Sequence, residues 1–171
     1  MAFEPTPAEV AEAAPFLAAA YNEPHNRAMM ANTVAFGAAE VAAHYAEMRT
    51  DGARTFLLER DGVLVGDADL RNFDEDGRAE IAILVASPDM QGRGLGTRFA
   101  LLLHALAFGP LACARIYASI VPENAASRRL FEKLGYALDT SDEASAYTEE
   151  EDDLVLSVDA RALSEIVVKE R

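Results

Sequence analysis

Hydrophobic positions are spaced helically at the start of the chain and change their period after residue 52. A capping box with proline at the first helical position, Thr6 to Glu9, predicts a helix that continues to about Tyr21. Positions three and four residues apart on one face, from Val41 to Met48, predict a second helix that ends at Asp51-Gly52. We therefore expect the first third of the chain to be helical.

The middle of the chain has patterns that are typical of strands. Residues 55–60 and 63–72 flank Asp61-Gly62, a two-residue turn signal, and predict a β-hairpin. The run 79–85 is so apolar that we expect this strand in the centre of a sheet. Further strands are predicted at residues 116–121, 136–139 and 154–158.

Helices are predicted between these strands. The apolar stripe from Phe99 to Leu106 marks a third helix, and Asn124 caps a short one that Gly135 ends. The strand–helix–strand unit from 80 to 121 should form a right-handed crossover with parallel strands. The order of elements predicts an α/β (α+β) fold whose mixed sheet is mostly antiparallel.

Composition narrows the function classes. The 171 residues show no linker or repeat, which predicts one domain over residues 1–171. Asp and Glu number 29 against 15 Lys and Arg, and this net charge of −14 argues against a nucleic-acid partner. One cysteine excludes an intrachain disulfide framework, and no Cys/His cluster has metal-binding spacing. Because no signal peptide or bilayer-spanning run is visible, we expect a cytoplasmic protein without a membrane partner.

A glycine-rich turn, residues 91–97, joins the central strand to the third helix. Alternate glycines turn successive N–H groups outward and let a ligand approach closely, and the helix start adds its positive dipole end. These features predict a phosphate or pyrophosphate site, with Arg93 supplying side-chain charge. Thr97 replaces the third glycine of the dinucleotide fingerprint, and no P-loop sequence occurs. A tight packing turn is the alternative.

Two sequence blocks can be compared with known families: Glu80 to Gly96, an apolar strand followed by the glycine-rich turn, and Val121 to Tyr136, which contains the helix capped by Asn124. The first block resembles the central strand and pyrophosphate loop of the GNAT superfamily of acetyl-CoA-dependent N-acyltransferases, and the second resembles that family's second CoA-contacting segment. The resemblance covers roughly residues 55–158. It implies a splayed sheet of about six to seven strands, flanked by helices. It also implies a CoA-binding core at residues 79–136, acceptor-side helices at 7–50 and a C-terminal helix at 159–169.

The resemblance further implies which residues bind acetyl-CoA, the acyl donor. Backbone groups of Val85 and Ala86 would pair with the pantetheine amides, as an added strand would. Asn124 and Ser127 would reach the CoA arm from the second block. The remaining predicted contacts lie in the glycine-rich turn, whose N–H groups would hold the pyrophosphate: Gln91, Gly92, Arg93, Gly94, Leu95, Gly96 and Thr97.

Glu80 is the candidate catalytic residue. It lies eleven residues before Gln91, the spacing at which some GNAT members place their catalytic glutamate. A carboxylate there could accept the proton of an attacking amine. The alternative interpretation is a charge exposed at the rim of the sheet or paired with an arginine.

Two interpretations are open for the general acid that would protonate the leaving thiolate, because Phe131 stands where many family members carry a tyrosine. Either the thiolate leaves unassisted, with proximity carrying much of the rate, or another tyrosine supplies the proton. The candidates for that role are Tyr117, Tyr136 and Tyr147.

These features predict direct transfer of an acetyl or short acyl group from acetyl-CoA to a primary amine of a small molecule or protein N-terminus. The acidic run Glu149 to Asp153 could rim the site and attract a cationic acceptor, although a solvated hairpin tip is the favoured alternative. His25 and His44 could line the acceptor side, or serve only as surface and core-edge residues. A module that binds acyl-CoA without turnover, a nucleotide-binding domain and an assembly domain stay open as alternatives. A homodimer is possible, with the C-terminal helix as a candidate interface.

Overall fold

Seven strands make one mixed sheet in the described part of the computed structural model, which covers residues 1–30, 34–86 and 88–169. The strands are β1 (Ala2–Phe3), β2 (Arg54–Arg60), β3 (Val63–Arg71), β4 (Arg78–Val85), β5 (Arg115–Ile120), β6 (Ala137–Leu138) and β7 (Leu154–Asp159). Their order is β1-β2-β3-β4-β5-β7-β6. Every neighbouring pair is antiparallel except β4 and β5, which are parallel.

Helices cover both faces of this sheet. They are α1 (Pro7–Asn22), α2 (Pro24–Met29), α3 (Ala38–Thr50), α4 (Leu95–Phe108), α5 (Ala125–Lys133), α6 (Asp142–Ser145) and α7 (Ala160–Lys169). The predicted capping box is present, with the Glu9 amide donating to the Thr6 hydroxyl and the Thr6 amide to the Glu9 carboxylate. Among the described residues, no helix has the length and apolar character that a bilayer crossing requires.

Three short elements were not predicted from the sequence: β1, α2 and α6. The predicted stop at Asn22-Glu23-Pro24 is a junction between two helices, because Pro24 takes the first position of α2 and the Glu23 carboxylate accepts from the Asn26 amide at 2.8 Å. Proline has no N–H to continue the hydrogen bonding of the preceding helix, so it ends α1. In the first turn of a helix the N–H groups have no intrahelical partner, so the same residue can begin α2.

The parallel strands β4 and β5 pair at only three positions and then part. Arg78, Ala79 and Glu80 face Arg115, Ile116 and Tyr117. Beyond Glu80, β4 keeps its pairing with β3, while β5 keeps its pairing with β7. The sheet is therefore splayed, mixed and mostly antiparallel, as predicted.

The two faces of the sheet are covered differently. One face carries the larger core, where Phe99, Leu103 and Phe131 from α4 and α5 pack on the strands. The other face has two separate covers. Helices α1 and α3 pack over β2 through residues such as Leu17, and Tyr147 stacks on Tyr117 of β5 with ring centroids 4.2 Å apart. The sheet surface between these two covers is open to a cleft.

Candidate active site

A cavity of about 740 Å³ occupies the splay between β4 and β5. Its walls come from the inner residues of both strands, from the glycine-rich turn and from helices α2 and α5. It extends over the open face of β3, between the two covers of that side of the sheet. The parting of two parallel strands therefore creates the site.

The glycine-rich turn forms one end of the cleft. Gly94 is the N-cap of α4 and has a φ of 77°, and Gly92 has a φ of 70°. A Cβ atom at either position would meet nothing within 4 Å, so both residues border open space. The amides that begin α4, at Leu95, Gly96 and Thr97, have no partners within the helix and can bind an anion. Leu95 contributes its backbone alone, because its side chain is buried in the core.

Basic side chains of α5 line the same end. Arg129 and Lys133 border the cavity, whereas Arg93 is exposed and is not among the cavity-lining residues that the structure describes. The two helices approach closely, since a Cβ on Gly96 would lie 2.6 Å from Leu130 Cδ1. The glycine thus brings the cationic face of α5 beside the N-terminus of α4.

The inner edge of β4 presents Val85 to the splay. The Ala86 amide donates to the Val65 carbonyl at 2.8 Å and so points toward β3. Because alternate residues of a strand direct their backbone groups to opposite edges, the Val85 amide points toward the opening. The Ala86 carbonyl accepts from Asn26 Nδ2 at 2.8 Å, and the Val85 carbonyl from Gln91 Nε2 at 2.9 Å. Of the two predicted backbone contacts, Val85 is the one with an amide free of β3.

Helix α2 is hydrogen-bonded to the end of β4, to the glycine-rich turn and to α5. These contacts were not predicted from the sequence. Asn26 is 1% exposed, and its Oδ1 accepts from Gln91 Nε2 at 3.0 Å. At the other end of α2, Asn124 Nδ2 donates to the Met29 carbonyl at 3.1 Å. Asn124 also caps α5 by accepting from the Ser127 amide at 3.0 Å, as predicted. Both Asn124 and Ser127 line the cavity.

Carboxylates dominate the opposite end of the cleft. The period of two along β3 places Asp67, Asp69 and Arg71 on the face opposite the larger core. Glu80 of β4 pairs with Arg71 across the antiparallel ladder. All four residues line the cavity.

Glu80 is 2% exposed, and both of its carboxylate oxygens have donors. Arg71 Nη2 donates to Oε1 at 3.1 Å, and Asn72 Nδ2 donates to Oε2 at 2.7 Å. Arg71 also forms ion pairs with Glu149 and, at 3.5 Å, with Asp69. The arginine-paired alternative for Glu80 is therefore observed, but the pair lies inside the cleft and not at the rim of the sheet.

Asp67 and Asp69 differ in their partners. Asp67 Oδ2 accepts from the hydroxyls of Tyr45, at 2.8 Å, and Tyr21, and burial raises the pKa of this carboxyl. Asp69 Oδ1 is buried and has no hydrogen-bond partner in the part of the chain that the structure describes. Burial raises the pKa of Asp69 to about 7; the charge of Arg71 opposes the rise, whereas those of Asp67 and other acids add to it. A carboxyl with a pKa near neutrality can exchange a proton at working pH.

The acidic run of the sequence divides into two parts. Its ends, Glu149 and Asp153, turn into the cavity, where Asp153 Oδ2 accepts from the Ser119 hydroxyl at 2.8 Å. The three acids between them are exposed. The structure therefore places the ends of the run at the cavity and its middle at the loop tip, and attraction of a cationic acceptor stays a prediction. His25 and His44 also line the cavity, and burial together with Arg71 lowers the pKa of His44.

The tyrosines considered as general acids lie elsewhere. Tyr136 is hydrogen-bonded to His104 at 2.6 Å, and the Tyr147 hydroxyl donates to Asp74 at 3.0 Å. Neither these residues nor Tyr117 is among the cavity-lining residues of the described chain. Phe131 does line the cavity, and so does Tyr21, which the sequence had indicated only as a helix end.

Comparison with curated proteins gives a partial match. Spermidine N(1)-acetyltransferase of Escherichia coli K12 is 33% identical over 87 residues. The match covers 50% of this chain and 46% of that enzyme, so the chain spans about half the length of the curated relative.

Solved structures share the fold. The aminoglycoside acetyltransferase AAC(6')-Ib in complex with coenzyme A superposes with a TM-score of 0.79 at 18% identity, over 96% of this chain and 97% of that one. RimJ of Mycobacterium smegmatis in complex with CoA-disulfide gives a TM-score of 0.75 at 20% identity, over 94% and 86% of the two chains. The family model described as "Acetyltransferase (GNAT) domain" matches residues 2–137. The chain therefore belongs to the GNAT acetyltransferase family.

Proposed function

We propose that this protein transfers an acetyl or other short acyl group from acyl-CoA to a primary amine of a small molecule or peptide N-terminus. One observation carries the proposal. A single cleft joins a helix N-terminus suited to phosphate groups with a carboxylate-lined sheet face, through the splay of β4 and β5. A donor with a phosphate-bearing arm and an acceptor with a positive charge would meet between these two ends.

The donor end fits coenzyme A. Gly92 and Gly94 border open space, and the first amides of α4 offer donors for a pyrophosphate. Arg129 and Lys133 add positive charge at the same end. The Val85 amide faces the splay, where a pantetheine amide could pair with it. Bound there, acyl-CoA would supply an activated acyl group as a thioester.

The acceptor end fits a cation. Five carboxylates of the described residues line it against one guanidinium, and a field of this sign concentrates positively charged substrates. A primary amine is protonated at neutral pH and must lose a proton before its nitrogen can attack a carbonyl carbon. Glu80 is the proton acceptor that the sequence predicts, and it lies at this end. The named relatives, acetyltransferases for spermidine and for aminoglycosides, support a polyamine or aminosugar acceptor.

A thiol-release assay tests the proposal. Acetyl-CoA would be incubated with a panel of polyamines, aminoglycosides, amino acids and short peptides, and the free thiol measured. Calorimetry with CoA alone would report binding independently of turnover. We expect CoA binding together with thiol release for a cationic class. Absence of both would overturn the assignment of the cleft.

A module that binds acyl-CoA without turnover is the second candidate function. Phe131 favours it, because this residue lines the cavity without a hydroxyl that could protonate a leaving thiolate. CoA binding without thiol release for any amine or acyl group would support this candidate over the enzyme.

A further inference from the structure

We infer that Asp69 accepts the proton of the acceptor ammonium, and that Glu80 is a positioning residue that acts through Arg71. The inference rests on the proposed function, since it assigns roles at the acceptor end of the same cleft. It departs from the prediction made from sequence spacing, which points to Glu80.

The hydrogen bonds of the two carboxylates carry this assignment. Both oxygens of Glu80 accept from side-chain donors, Arg71 and Asn72, and its side chain is 2% exposed. Among the described residues, the buried Asp69 Oδ1 has no donor, and Oδ2 lies 3.5 Å from Arg71 Nη1. The Asp69 side chain is 14% exposed and lines the cavity. Asp69 therefore keeps an acceptor position that a proton can occupy without displacing a protein donor.

Asp67 lies two residues away on the same face, but hydrogen bonds from the protein hold its carboxylate. Its Oδ2 accepts from two tyrosine hydroxyls, Tyr21 and Tyr45, which come from the helices covering this half of the sheet. These bonds hold the Asp67 carboxyl against helices α1 and α3. Asp67 thus anchors α1 and α3 above the acceptor end, and Asp69 is the member of the pair that contacts neither helix through a hydrogen bond that the structure describes.

The surroundings of Asp69 favour reversible protonation near neutral pH. Burial raises the pKa of this carboxyl to about 7, near the value at which a general base works best at neutral pH. Asp67, Glu80 and Glu149 push in the same direction, whereas Arg71 opposes them. The titratable and charged groups that face this part of the cleft come from α1, α3, β3, β4 and the loop before β7: Tyr21, His44, Tyr45, Asp67, Arg71, Glu80, Glu149 and Asp153.

The proton balance is simple. The acceptor ammonium gives one proton to the Asp69 carboxylate, which leaves a neutral amine and a neutral carboxyl. The amine nitrogen then forms a C–N bond as the thioester C–S bond breaks, and the second proton from nitrogen leaves with the thiol. Asp69 returns its proton to solvent through the exposed part of the cleft.

Carbon-13 NMR titration of the side-chain carboxyls tests the inference without substrates. We expect one resonance to titrate near pH 7, and the same resonance to be absent from Asp69→Asn. In Glu80→Gln we expect the resonance to titrate at lower pH, because a negative charge that disfavours ionisation is gone. Titration of Asp69 near the ordinary value for aspartate would overturn the inference even if the enzyme turns over.

The pH profile of kcat/KM gives the second test, on an amine that the thiol-release panel finds active. We expect a rising limb centred near the pH of the NMR transition. Asp69→Asn should lose this limb and about 100-fold in kcat, whereas Glu80→Gln should keep the limb, shifted to lower pH, with a smaller loss. Asp152→Asn is the matched control, since this acid is exposed at the loop tip outside the cavity, and it should behave as the wild type.

Calorimetric CoA binding separates a chemical defect from a folding defect. Asp69→Asn should bind CoA as the wild type does, because Asp69 lies at the opposite end of the cleft from the glycine-rich turn. The inference would be overturned if Asp69→Asn kept the rising limb of the pH profile and wild-type kcat. It would also be overturned if Glu80→Gln lost that limb at wild-type CoA affinity, and the role of proton acceptor would then return to Glu80. A wild type inactive toward every amine would contradict the proposed function, and the NMR titration would then still decide the state of Asp69.

Discussion

The two ends of the cleft are built in opposite ways. The donor end is made mostly from contiguous residues, the turn from Gln91 to Thr97 and the start of α4, and it acts through backbone amides. The acceptor end is made from side chains of β3, β4, α1, α3 and the loop before β7. Backbone sites depend on local conformation, whereas side-chain sites depend on how distant elements pack. The two ends should therefore respond to mutation independently.

Arg71→Met should have the largest effect, and on stability. Asp69, Glu80 and the partly exposed Glu149 would lose their shared cation, and removing one partner of a buried ion pair such as Arg71–Glu80 costs about 3–5 kcal/mol. Denaturant unfolding would measure the free energy at pH 8 and at pH 5. Asp69 and Glu149 have raised pKa values, so the folded state takes up protons more readily than the unfolded state. Part of the lost stability should therefore return as pH falls.

The control for this change is Arg54→Met. Arg54 forms an ion pair with Glu4 on the surface, where both side chains are more than a third exposed. Such pairs contribute under about 1 kcal/mol. A loss for Arg71→Met as small as that for Arg54→Met would mean that the carboxylates of the cleft do not depend on Arg71.

Gly94→Val tests the donor end. A side chain there would enter the open space beside the first amides of α4 and would strain a backbone at φ 77°. We expect CoA affinity to fall about 100-fold, equal to about 2.7 kcal/mol, while the NMR titration of Asp69 stays unchanged. Gly62→Val is the matched control, because Gly62 has the same φ of 77° and open surroundings in the β2–β3 turn. Equal losses of CoA affinity in both variants would point to strain alone.

Asn26→Ala tests helix α2, which is hydrogen-bonded to the end of β4, to the glycine-rich turn and to α5. The variant removes bonds to Ala86, Ala20 and Gln91, which should cost about 1–3 kcal/mol of stability. Because Gln91 loses its support, we also expect CoA affinity to fall, by about tenfold. Calorimetry and thermal unfolding would measure the two effects. Asn22→Ala removes a comparable pair of bonds to Phe36 and should lower stability without changing CoA affinity.

Glu149→Gln should have the smallest effect, confined to the acceptor. Removing one partly exposed charge at the acceptor end should raise KM for a cationic amine about threefold and leave CoA affinity unchanged. The difference should shrink as salt is added, since screening weakens attraction between exposed charges. Glu150→Gln, at the exposed tip of the same loop, should leave KM unchanged. Equal increases of KM in both variants would indicate that the total surface charge, and not the position of Glu149, attracts the amine.

The signals that predicted the glycine-rich turn and the family are local in the sequence. Alternate glycines between an apolar strand and a helix identified the turn, and two ordered blocks identified the family. The splay followed from that resemblance and is confirmed by the short β4–β5 ladder. Helix α2 was missed because a six-residue helix gives almost no periodic signal and begins at a proline.

The acceptor end could not be predicted in the same way. Along β3, Asp67 and Asp69 alternate with Ala68 and Leu70, which is the pattern of a strand with one face in solvent. Helices from the first fifty residues cover part of that face, where their tyrosines reach Asp67, and the rest of the face borders the cleft. Alternation shows that two faces differ. It does not show whether the polar face meets water or another part of the chain.

The parting of β4 and β5 at Glu80 also makes β4 a spacer of fixed length. Val85 lies five positions after Glu80, and at about 3.3 Å per position about 17 Å of strand separates the carboxylate end from the backbone edge proposed for pantetheine. Deleting two residues from this run would keep every remaining side chain on its face while bringing the ends about 7 Å closer. The reach of the donor that this fold accepts is therefore set by a count of strand residues.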